Sequence, residues 1–424
     1  MPLPTPEGYR VLDESSLRDL LASLPAVAQR VGGDAAAWRI REVGDGNLNL
    51  VFIIEGTHGG ICVKQALPYV RLVGESWPLD LNRAFFEYRA SVIQAEHCQG
   101  LVPEILHYDP KLYLIVMELL SPHIIMRRGM IDAVVYPRFV EHITDYMARS
   151  LYFTSDLALP AARKKAMIAE FCPNTDLCKI TEDLIFTDPY RVHELNRWTS
   201  PQLDSWAAMW REDDQLKLAV SQLKVDFLSR AEALLHGDLH TGSIMVTEAE
   251  TRVIDPEFAF VGPMGFDVGK LIANLLMNYL SHDGHETRPG ERDDYRAWVI
   301  DTIHGVWHGF ATKFVALWAK NRTGDAYPRD LLPDDSSVFR QAQSAYMAHL
   351  WTDSLRFAGA SLTRRTLGLA HNADLERIED PDRRAACERR VLELSRDLLV
   401  NPDSYAHIEQ VTARAQALRA RDLG

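Results

Sequence analysis

Two stretches of the sequence decide the fold: LLHGDLHTGSIMV at residues 234–246 and VIDPEFAF at residues 253–260. Each contains apolar runs of the kind that form β-strands, and each presents an aspartate, Asp238 or Asp255, where the strand signal stops. The pattern predicts a β-hairpin that carries two carboxylates seventeen residues apart. Because a turn needs only one aspartate to cap it, the pair indicates chemistry rather than local structure.

The composition is typical of a globular chain with no strong bias. The 424 residues are 47% hydrophobic and 25% charged, enough for about two or three domains or lobes. No apolar run approaches the ~20 residues of a membrane span, and the N-terminus lacks the features of a signal peptide. The five scattered cysteines predict reduced thiols in a cytoplasmic protein. A net charge of −13 disfavours nucleic acid and membrane surfaces as partners, so an anionic substrate would need a local basic pocket.

The hydrophobic period changes along the chain and predicts an α+β fold with two lobes. Residues before about 35 have helical spacing, and five strand-like runs follow up to Leu120, interrupted by a helix near residues 82–98. The GESWPLDL segment at residues 74–81 is predicted as an irregular loop. Beyond Leu120 the pattern is helical apart from the hairpin predicted within residues 234–260. We expect a small five-stranded N-terminal lobe at residues 1–120, a hinge at about 117–120, and a large helical lobe at residues 121–424.

Further polar positions lie in the predicted N-terminal lobe. The GDGN turn contains Gly44 and Gly46, which would let backbone N–H groups approach a phosphate, although turn geometry alone also explains them. Lys64 lies inside the apolar strand ICVKQAL; it needs a carboxylate or an anionic ligand if it is buried, and the alternative is a residue on an edge strand. Glu87 on the following helix is a candidate partner for Lys64, and its alternative is a solvated helix face.

Asp238, Asp255 and Glu257 give the strongest indication of activity. Phosphoryl transfer needs a carboxylate that orients the attacking hydroxyl and accepts its proton, and it needs hard oxygen ligands for Mg²⁺ on the phosphates. Strand-end carboxylates that face one cleft supply both. The Asp-Pro-Glu sequence places two carboxylates within two residues, as a compact metal-binding pair. The pattern therefore favours phosphoryl transfer.

The same motifs carry a family resemblance. HGDLHTGSI followed by IDPE resembles the catalytic and metal loops of the protein-kinase-like superfamily, in its small-molecule branch with the aminoglycoside and choline kinases. Together with GDGNLNLVF, VKQALPYVR, ESWPL, DPEFAFVGPMGFDVG and RRTLGLAH, these motifs resemble the 5-methylthioribose kinases of methionine salvage, from residue 44 to residue 371. The resemblance implies a bilobal kinase fold, ATP and Mg²⁺ as cofactors, a homodimer, and transfer to the 1-hydroxyl of methylthioribose.

The resemblance also implies residue roles. The residues expected to hold the nucleotide, by its phosphates or by backbone contacts with adenine, are Asn47, Lys64, Glu118, Leu119 and Leu120. Asp238 is expected beside the substrate hydroxyl, and Asp255 and Glu257 are expected to bind Mg²⁺. Arg364 or Arg365 is expected to hold the sugar, and the loop around Trp77 is expected near the active site.

Two positions depart from the wider superfamily. Ser243 stands where that superfamily usually has an asparagine as a second metal ligand, and Asp-Pro-Glu replaces Asp-Phe-Gly. We interpret the two changes as linked, because Glu257 supplies a ligand that Ser243 cannot supply as well. Both changes match the methylthioribose kinase pattern, and they leave the number of metal ions open.

Two other functions would use the same residues differently: a metallophosphoesterase and a nucleotide-binding module without turnover. The alternation of His236, Asp238 and His240 is compatible with a metallophosphoesterase, but the sequence has no second cluster of that type. We therefore predict that His236 organises the loop and that His240 is a hydrogen-bonding residue. A nucleotide-binding module without turnover would be expected to have lost Asp238, Lys64 or Asp255, which are all present.

A kinase of another small alcohol, such as choline, homoserine or an aminoglycoside, is the remaining alternative. Sites for cationic substrates need many carboxylates, whereas the basic pair Arg364 and Arg365 favours a neutral, oxygen-rich sugar or an anion. The alternative for that pair is a solvated helix face, and the doublet Arg127 and Arg128 shows how readily such pairs occur.

Overall fold

Helices and strands of the smaller lobe follow the order that the hydrophobic period predicts. The computed structural model describes residues 6–44, 48–71 and 74–421, with Glu75 described in its backbone alone. The elements of this lobe are α1 (Glu14–Ala22), α2 (Pro25–Val31), a short 3₁₀ helix (Ala35–Ala37), β1 (Arg39–Glu42), β2 (Asn49–Glu55), β3 (Gly60–Ala66), β4 (Tyr69–Val70), β5 (Gly74–Pro78), α3 (Arg83–His97), β6 (Ile105–Asp109) and β7 (Leu114–Glu118).

The larger lobe is mostly helical, as predicted. Its helices are α4 (Met126–Ile131), α5 (Phe139–Phe153), α6 (Ala161–Phe171), α7 (Thr175–Phe186), α8 (Asp204–Glu212), α9 (Asp214–Ser229), α10 (Gly265–His285), α11 (Asp293–Lys320), α12 (Ser337–Leu367), α13 (Ala373–Glu376), α14 (Pro381–Val400) and α15 (Ile408–Arg421). Its strands are β8 (Ile124–Ile125), β9 (Ala233–Leu234), β10 (Ile244–Val246), β11 (Thr251–Val253) and β12 (Val261–Gly262). Among the described residues, no helix is both long and apolar enough to cross a bilayer.

Alternation along β3 decides where Lys64 points. The five-stranded sheet has the order β1-β2-β3-β7-β6, so β3 is a central strand paired on both sides. Ile61 and Val63 are buried in the apolar cluster beneath α1 and α2. Lys64 has the opposite parity, so its side chain lies on the other face of the sheet, where it reaches Glu87 of α3. The interpretation of Lys64 as a residue on an edge strand is therefore wrong.

Strand pairing brings the loops of the two aspartates together. β10 and β11 form the predicted antiparallel hairpin, with Ile244 opposite Val253. The N–H of Ile254 donates to the carbonyl of Ser243 at 3.0 Å and extends the ladder by one step. The loop that leads into β10 and the loop that follows β11 therefore leave the hairpin at the same end. The short strands β8 and β12, which pair with β10 and β9, were not predicted.

The GESWPLDL segment is more regular than the sequence indicates, so its prediction as a loop is wrong. Residues Gly74–Pro78 form β5, which pairs antiparallel with β4 across an irregular register. Val70 and Leu79 are buried in a small apolar cluster with Leu177 of α7, and Trp77 packs against that cluster. Packing against α7 thus supplies the burial that an isolated two-stranded ribbon lacks.

A close crossing between α10 and α12 organises the core of the larger lobe. Residues 265–282 of α10 are buried throughout, so this helix has no solvated face. A Cβ at Gly269 would lie 2.2 Å from the backbone oxygen of Ser354, and one at Gly265 would lie 2.7 Å from Asp353 Cβ. The two backbones can pass this closely because neither position carries a side chain.

We expect Gly269→Ala to destabilise the protein by about 1–2 kcal/mol net. Alanine gains about 1 kcal/mol in helix propensity, but the clash is with backbone and forces α10 away from α12, which typically costs about 1–3 kcal/mol or more. Thermal unfolding measures the effect. Gly59→Ala is the matched control, since a Cβ there meets Arg30 O at an ordinary 3.5 Å. Equal melting temperatures for the two variants would contradict the close crossing.

Candidate active site

The loop between β9 and β10 is held in place by its own histidine and by α10. The N–H groups of His236 and Gly237 donate to the carboxylate of Asp267 at 2.7 and 3.1 Å. The ring of His236 bonds the Ile254 carbonyl through Nε2 at 2.8 Å and accepts from the N–H of Asp238 at Nδ1 at 3.2 Å. Both ring nitrogens of His236 are therefore engaged in holding the loop, as expected of a residue that organises it.

Gly237 allows the tight approach between the two aspartate-bearing loops. Its φ is +79°, in the left-handed region that favours glycine. A Cβ at this position would lie 2.1 Å from the carbonyl oxygen of Phe258, in the loop that follows Asp255. Asp255 itself has φ +69°, which is uncommon for a residue with a side chain and marks a backbone constrained by its surroundings.

Two buried groups hold the two carboxylate oxygens of Asp238 from opposite sides. Lys270 of α10 places Nζ 2.5 Å from Oδ1, and His240 places Nε2 3.2 Å from Oδ2. The side chain of Asp238 is 21% exposed, against 2% for Lys270 and 11% for His240. Asp238 is therefore the most solvent-accessible of the three side chains, and Lys270 and His240 are more deeply buried than the carboxylate that they contact.

Hydrogen bonds assign the tautomer of His240. Its Nδ1 accepts from the N–H of Gly242 at 3.1 Å, which leaves Nε2 to carry the proton and donate to Asp238. Burial lowers the pKa of His240 to about 3, so the ring is neutral near pH 7. Ser243 donates from Oγ to the Asp238 carbonyl at 2.9 Å and lies 3.1 Å from His240 Nδ1, so its hydroxyl serves the loop.

The electrostatic surroundings keep Asp238 ionised. Burial alone would raise the pKa of Asp238, but His240, Lys270 and Arg365 outweigh it and hold the pKa well below its usual range. Burial lowers the pKa of Lys270 to about 8, with Asp238 opposing the shift and Arg364 and Arg365 adding to it. Near pH 7 the pair is therefore a carboxylate and an ammonium.

Arg364 and Arg365, in the last turn of α12, are both buried, so the alternative of a solvated helix face is wrong. Arg365 donates from Nη1 to the Ala370 carbonyl at 3.2 Å, and within the described ranges the Nε of each arginine has no hydrogen-bond partner. Burial, reinforced by Arg365 and opposed by Asp238, lowers the pKa of Arg364 to about 9. Buried donors without partners suit an oxygen-rich ligand.

Arg127 adds a third guanidinium, with 16% of its side chain exposed, so this member of the Arg127 and Arg128 doublet does not lie on a fully solvated helix face. It donates to Asn274 Oδ1 at 3.1 Å and lies 3.6 Å from the Asp374 carboxylate. Burial and the neighbouring Arg365 lower the pKa of Arg127 to about 10. Positive charge thus dominates the surroundings of Asp238.

On the other side of the site, Lys64 bridges the two lobes. Its Nζ lies 2.8 Å from Glu87 of α3 and also forms an ion pair with Asp255 of the larger lobe. The Lys64 side chain is 12% exposed and that of Glu87 4% exposed, so Glu87 does not lie on a solvated helix face. Desolvation of a buried lysine is offset here by two carboxylates. Burial raises the pKa of Glu87, and the adjacent Lys64 opposes that shift.

Three carboxylates gather around this lysine. One oxygen from each of Glu87, Asp255 and Glu257 lies within 4.8 Å of the others, a spacing that can hold a metal ion. Hard carboxylate oxygens are the donors that Mg²⁺ prefers, so the donor set fits the implied cofactor. Glu257 also accepts from Asn49 Nδ2 at 2.8 Å, and Arg83 donates to Asn49 Oδ1 at 3.0 Å, which fixes the orientation of Glu257.

Some of the remaining predicted residues lie at or after the end of β7 or pack near Phe258, and others lie outside the described ranges. Glu118 ends β7 opposite Ile61, and Leu119 and Leu120 follow it toward the larger lobe. Trp77 packs against the cluster that Phe258, the residue after Glu257, also joins. Among the described residues, nothing lies within 4 Å of a Cβ built at Gly44, so contacts with that part of the chain do not require glycine there. Gly46 and Asn47 lie outside the described residues.

Several members of the site were not predicted: Asn49, Arg83, Arg127, Asp267 and Lys270. Asp267 belongs to the quoted motif DPEFAFVGPMGFDVG, and Lys270 follows it directly. The sequence could have indicated both residues, because Asp267 and Lys270 follow the metal loop and are three positions apart in a helical pattern, which places them on the same helix face.

Comparison with known proteins gives consistent matches. The model of a phosphotransferase enzyme family matches residues 39–304. The chain is 46% identical to methylthioribose kinase 1 of Oryza sativa subsp. japonica over 97% of this chain and 96% of that protein. It is 44% identical to methylthioribose kinase of Escherichia coli O45:K1 (strain S88 / ExPEC), over 97% and 98% of the two chains. A choline/ethanolamine kinase family protein from Mesorhizobium loti aligns at 16% identity and a TM-score of 0.40, covering 96% of this chain and 99% of that one.

Proposed function

Since the chain belongs to the methylthioribose kinases of the phosphotransferase enzyme family, we propose that it transfers a phosphoryl group from ATP to the 1-hydroxyl of methylthioribose. The products are 5-methylthioribose 1-phosphate and ADP, in a step of methionine salvage. The observation that carries this proposal is the 46% identity to a methylthioribose kinase over nearly the whole of both chains. The site supports it, because a held carboxylate lies among buried cations and across from a group of metal-binding carboxylates.

Asp238 is assigned to the attacking hydroxyl. Lys270 contacts the buried Oδ1 and His240 contacts Oδ2, so the sugar hydroxyl would donate to a remaining lone pair of Oδ2. The low pKa of Asp238 makes it a weak base, so its main contribution is to orient the hydroxyl. It takes the proton as the new oxygen–phosphorus bond forms, when the hydroxyl becomes acidic.

The nucleotide is assigned to the cleft between the lobes. Lys64, with Asn47, would contact the phosphates, and the backbone of residues 118–120 would hold adenine at the hinge between the lobes at residues 1–120 and 121–424. Asp255 and Glu257 would hold Mg²⁺, with Glu87 close enough to assist. When bound, Mg²⁺ supplies positive charge that offsets the charge of the transferred phosphoryl group. Glu87 and Asp255 keep Lys64 protonated and fixed in the cleft.

We assign the sugar substrate to the part of the site that contains the buried basic residues. Arg364 and Arg365 offer rigid forks of N–H donors toward neutral sugar oxygens and the incoming phosphoryl oxygens. A cationic acceptor such as choline or an aminoglycoside would meet Arg127, Lys270 and the arginine pair, and like charges in a buried site repel strongly. This charge balance supports a neutral sugar over a cationic alcohol.

The alternative of a metallophosphoesterase would need His236 and His240 as metal ligands, and their hydrogen bonds leave no ring nitrogen for that role. Both ring nitrogens of His236 are engaged in the loop. His240 uses Nδ1 toward Gly242 and Nε2 toward Asp238. Neither imidazole has a nitrogen free for a metal, which the phosphoesterase mechanism requires. The inactive-module alternative lacks support, because Lys64, Asp238 and Asp255 are all present and contact charged partners.

We also propose that the protein works as a cytoplasmic homodimer: the family resemblance implies the dimer, and the five scattered cysteines favour a reducing compartment. Size-exclusion chromatography with light scattering would measure the assembly, and a monomer at micromolar concentration would contradict it.

A direct assay tests the reaction. Purified protein with Mg²⁺ and ATP is offered methylthioribose, choline, homoserine and an aminoglycoside in parallel, and ADP release is recorded. Release with methylthioribose alone, and a product whose phosphorus NMR signal couples to the anomeric proton, is the expected result. Equal or faster turnover of one of the other alcohols would overturn the substrate assignment.

We expect Glu257→Gln to raise the Mg²⁺ concentration needed for half-maximal activity about tenfold. Mg²⁺ prefers anionic oxygen and retains several waters, so losing one of its carboxylates weakens the site without abolishing it. Glu388→Gln is the matched control, because Glu388 is also buried in the larger lobe but lies outside the carboxylate group. Identical Mg²⁺ titrations for Glu257→Gln and the wild type would contradict the assignment of Glu257.

A further inference from the structure

Lys270 has an unusual environment for a lysine on a helix. Its side chain is 2% exposed, and its nearest acceptor is Oδ1 of Asp238 at 2.5 Å, with the Gly237 carbonyl at a longer 3.5 Å. Its ammonium also lies 4.9 Å from the ring centroid of Phe266. Burial of an ammonium is costly unless it is paired, so this lysine depends on Asp238.

We propose that Lys270 is a positioning residue for phosphoryl transfer: it fixes the plane and the ionised state of the Asp238 carboxylate, with His240 fixing the second oxygen. The inference rests on the proposed role of Asp238. It assigns to α10 a part in catalysis that neither the catalytic loop nor the metal loop provides.

The physical reason is rotational freedom. The terminal torsion of an aspartate is broad, so the direction of its free lone pairs is set by what its oxygens bond. One anchor on each oxygen removes that freedom. Displacement of a reacting group by about 1 Å can cost as much as 10²-fold in rate, so even partial release of the carboxylate should be visible in kcat.

Charge is the second contribution. The charged or titratable groups that face Asp238 and Lys270 come from four elements: His240 from the loop, Asp267 from α10 itself, Arg364 and Arg365 from α12, and Arg127 from α4. Lys270 is the cation in direct contact with the carboxylate. Removal of the ammonium should therefore raise the pKa of Asp238, because an adjacent opposite charge favours the ionised form.

The test compares Lys270→Met, Lys270→Gln and Lys270→Arg by steady-state kinetics from about pH 3 to 9, a window that extends low because the wild-type pKa of Asp238 lies well below its usual range. For the Met and Gln variants we expect kcat to fall about tenfold or more, KM for the sugar to stay within about threefold, and the acid limb of kcat/KM to move up by about one pH unit or more. For Lys270→Arg, which retains the charge, we expect the acid limb to stay near its wild-type position.

Lys164→Met is the matched control. Lys164 is another buried lysine of the larger lobe, with 1% of its side chain exposed, but it donates to the carbonyls of Thr154 and Glu232. Its loss should lower stability and leave the pH profile unchanged. If Lys270→Met does not fold, the Gln variant decides. A folded Met or Gln variant with wild-type kcat and acid limb would overturn the inference, whereas an active Asp238→Asn enzyme would overturn the proposed role of Asp238 instead.

Discussion

Asp238→Asn is expected to lower kcat about 10²–10⁴-fold, while ATP binding remains near the wild-type value. Asparagine has the shape of aspartate but cannot accept the proton of the sugar hydroxyl, and loss of such a group typically has this magnitude. Its Oδ1 can still accept from Lys270, so the buried ammonium keeps one partner. Its Nδ2 would face the Nε2–H of His240, so two donors meet and a modest loss of stability accompanies the kinetic effect.

Single-turnover phosphoryl transfer and ATP titration separate the two effects. Asp226→Asn provides the control, since Asp226 of α9 pairs with Arg356 of α12 at 3.3 Å and is not part of the catalytic loop. A variant that kept more than a tenth of wild-type turnover would show that another residue is the catalytic carboxylate.

The second large effect is expected from the arginine pair. At least one of Arg364→Lys and Arg365→Lys should lower kcat/KM for the sugar about 10²-fold, because lysine donates from one point and cannot replace a planar fork. A hydrogen bond to a charged group contributes roughly 1.5–3 kcal/mol, which corresponds to this loss if about one such bond is broken. ATP affinity without sugar should change by only a few-fold, since the assigned nucleotide contacts lie elsewhere.

Arg384→Lys controls for the general effect of shortening a guanidinium. Arg384 lies on α14 and donates to the Ile378 carbonyl at 2.8 Å, and its substitution should leave kcat/KM unchanged. Normal sugar kinetics in both variants of the pair would place the substrate elsewhere. Loss of ATP binding would instead assign the pair to the phosphates.

The sequence predicted best those features that depend on neighbours in the chain. The hairpin that joins the Asp238 and Asp255 loops follows from two short apolar runs, because antiparallel pairing returns the chain to the same edge. The Lys64 and Glu87 pair follows from strand parity and helix spacing, although only the central position of β3 excludes an edge strand.

Features that depend on packing between distant helices were less accessible. Lys270 looks like a solvated position in a helical pattern, but it is buried because α10 is covered on all sides. Arg127 looks alike in the sequence, and it is largely covered on α4, where it lies 3.6 Å from the Asp374 carboxylate. The arginine doublets at residues 127–128 and 364–365 are alike as sequence, yet their depth depends on what packs over each helix. β5 forms where a loop was predicted because α7, almost one hundred residues further along, covers it.

The glycine-mediated crossing of α10 and α12 bears on how this enzyme can evolve. Lys270 belongs to one of these helices and the arginine pair to the other, so the separation of the residues proposed to face the acceptor depends on how closely the two backbones pass. Exchange of a surface loop leaves that distance unchanged. A lineage drifting toward a bulkier acceptor must therefore shorten side chains on a fixed frame, or accept a larger residue at Gly269 together with compensating changes along both helices.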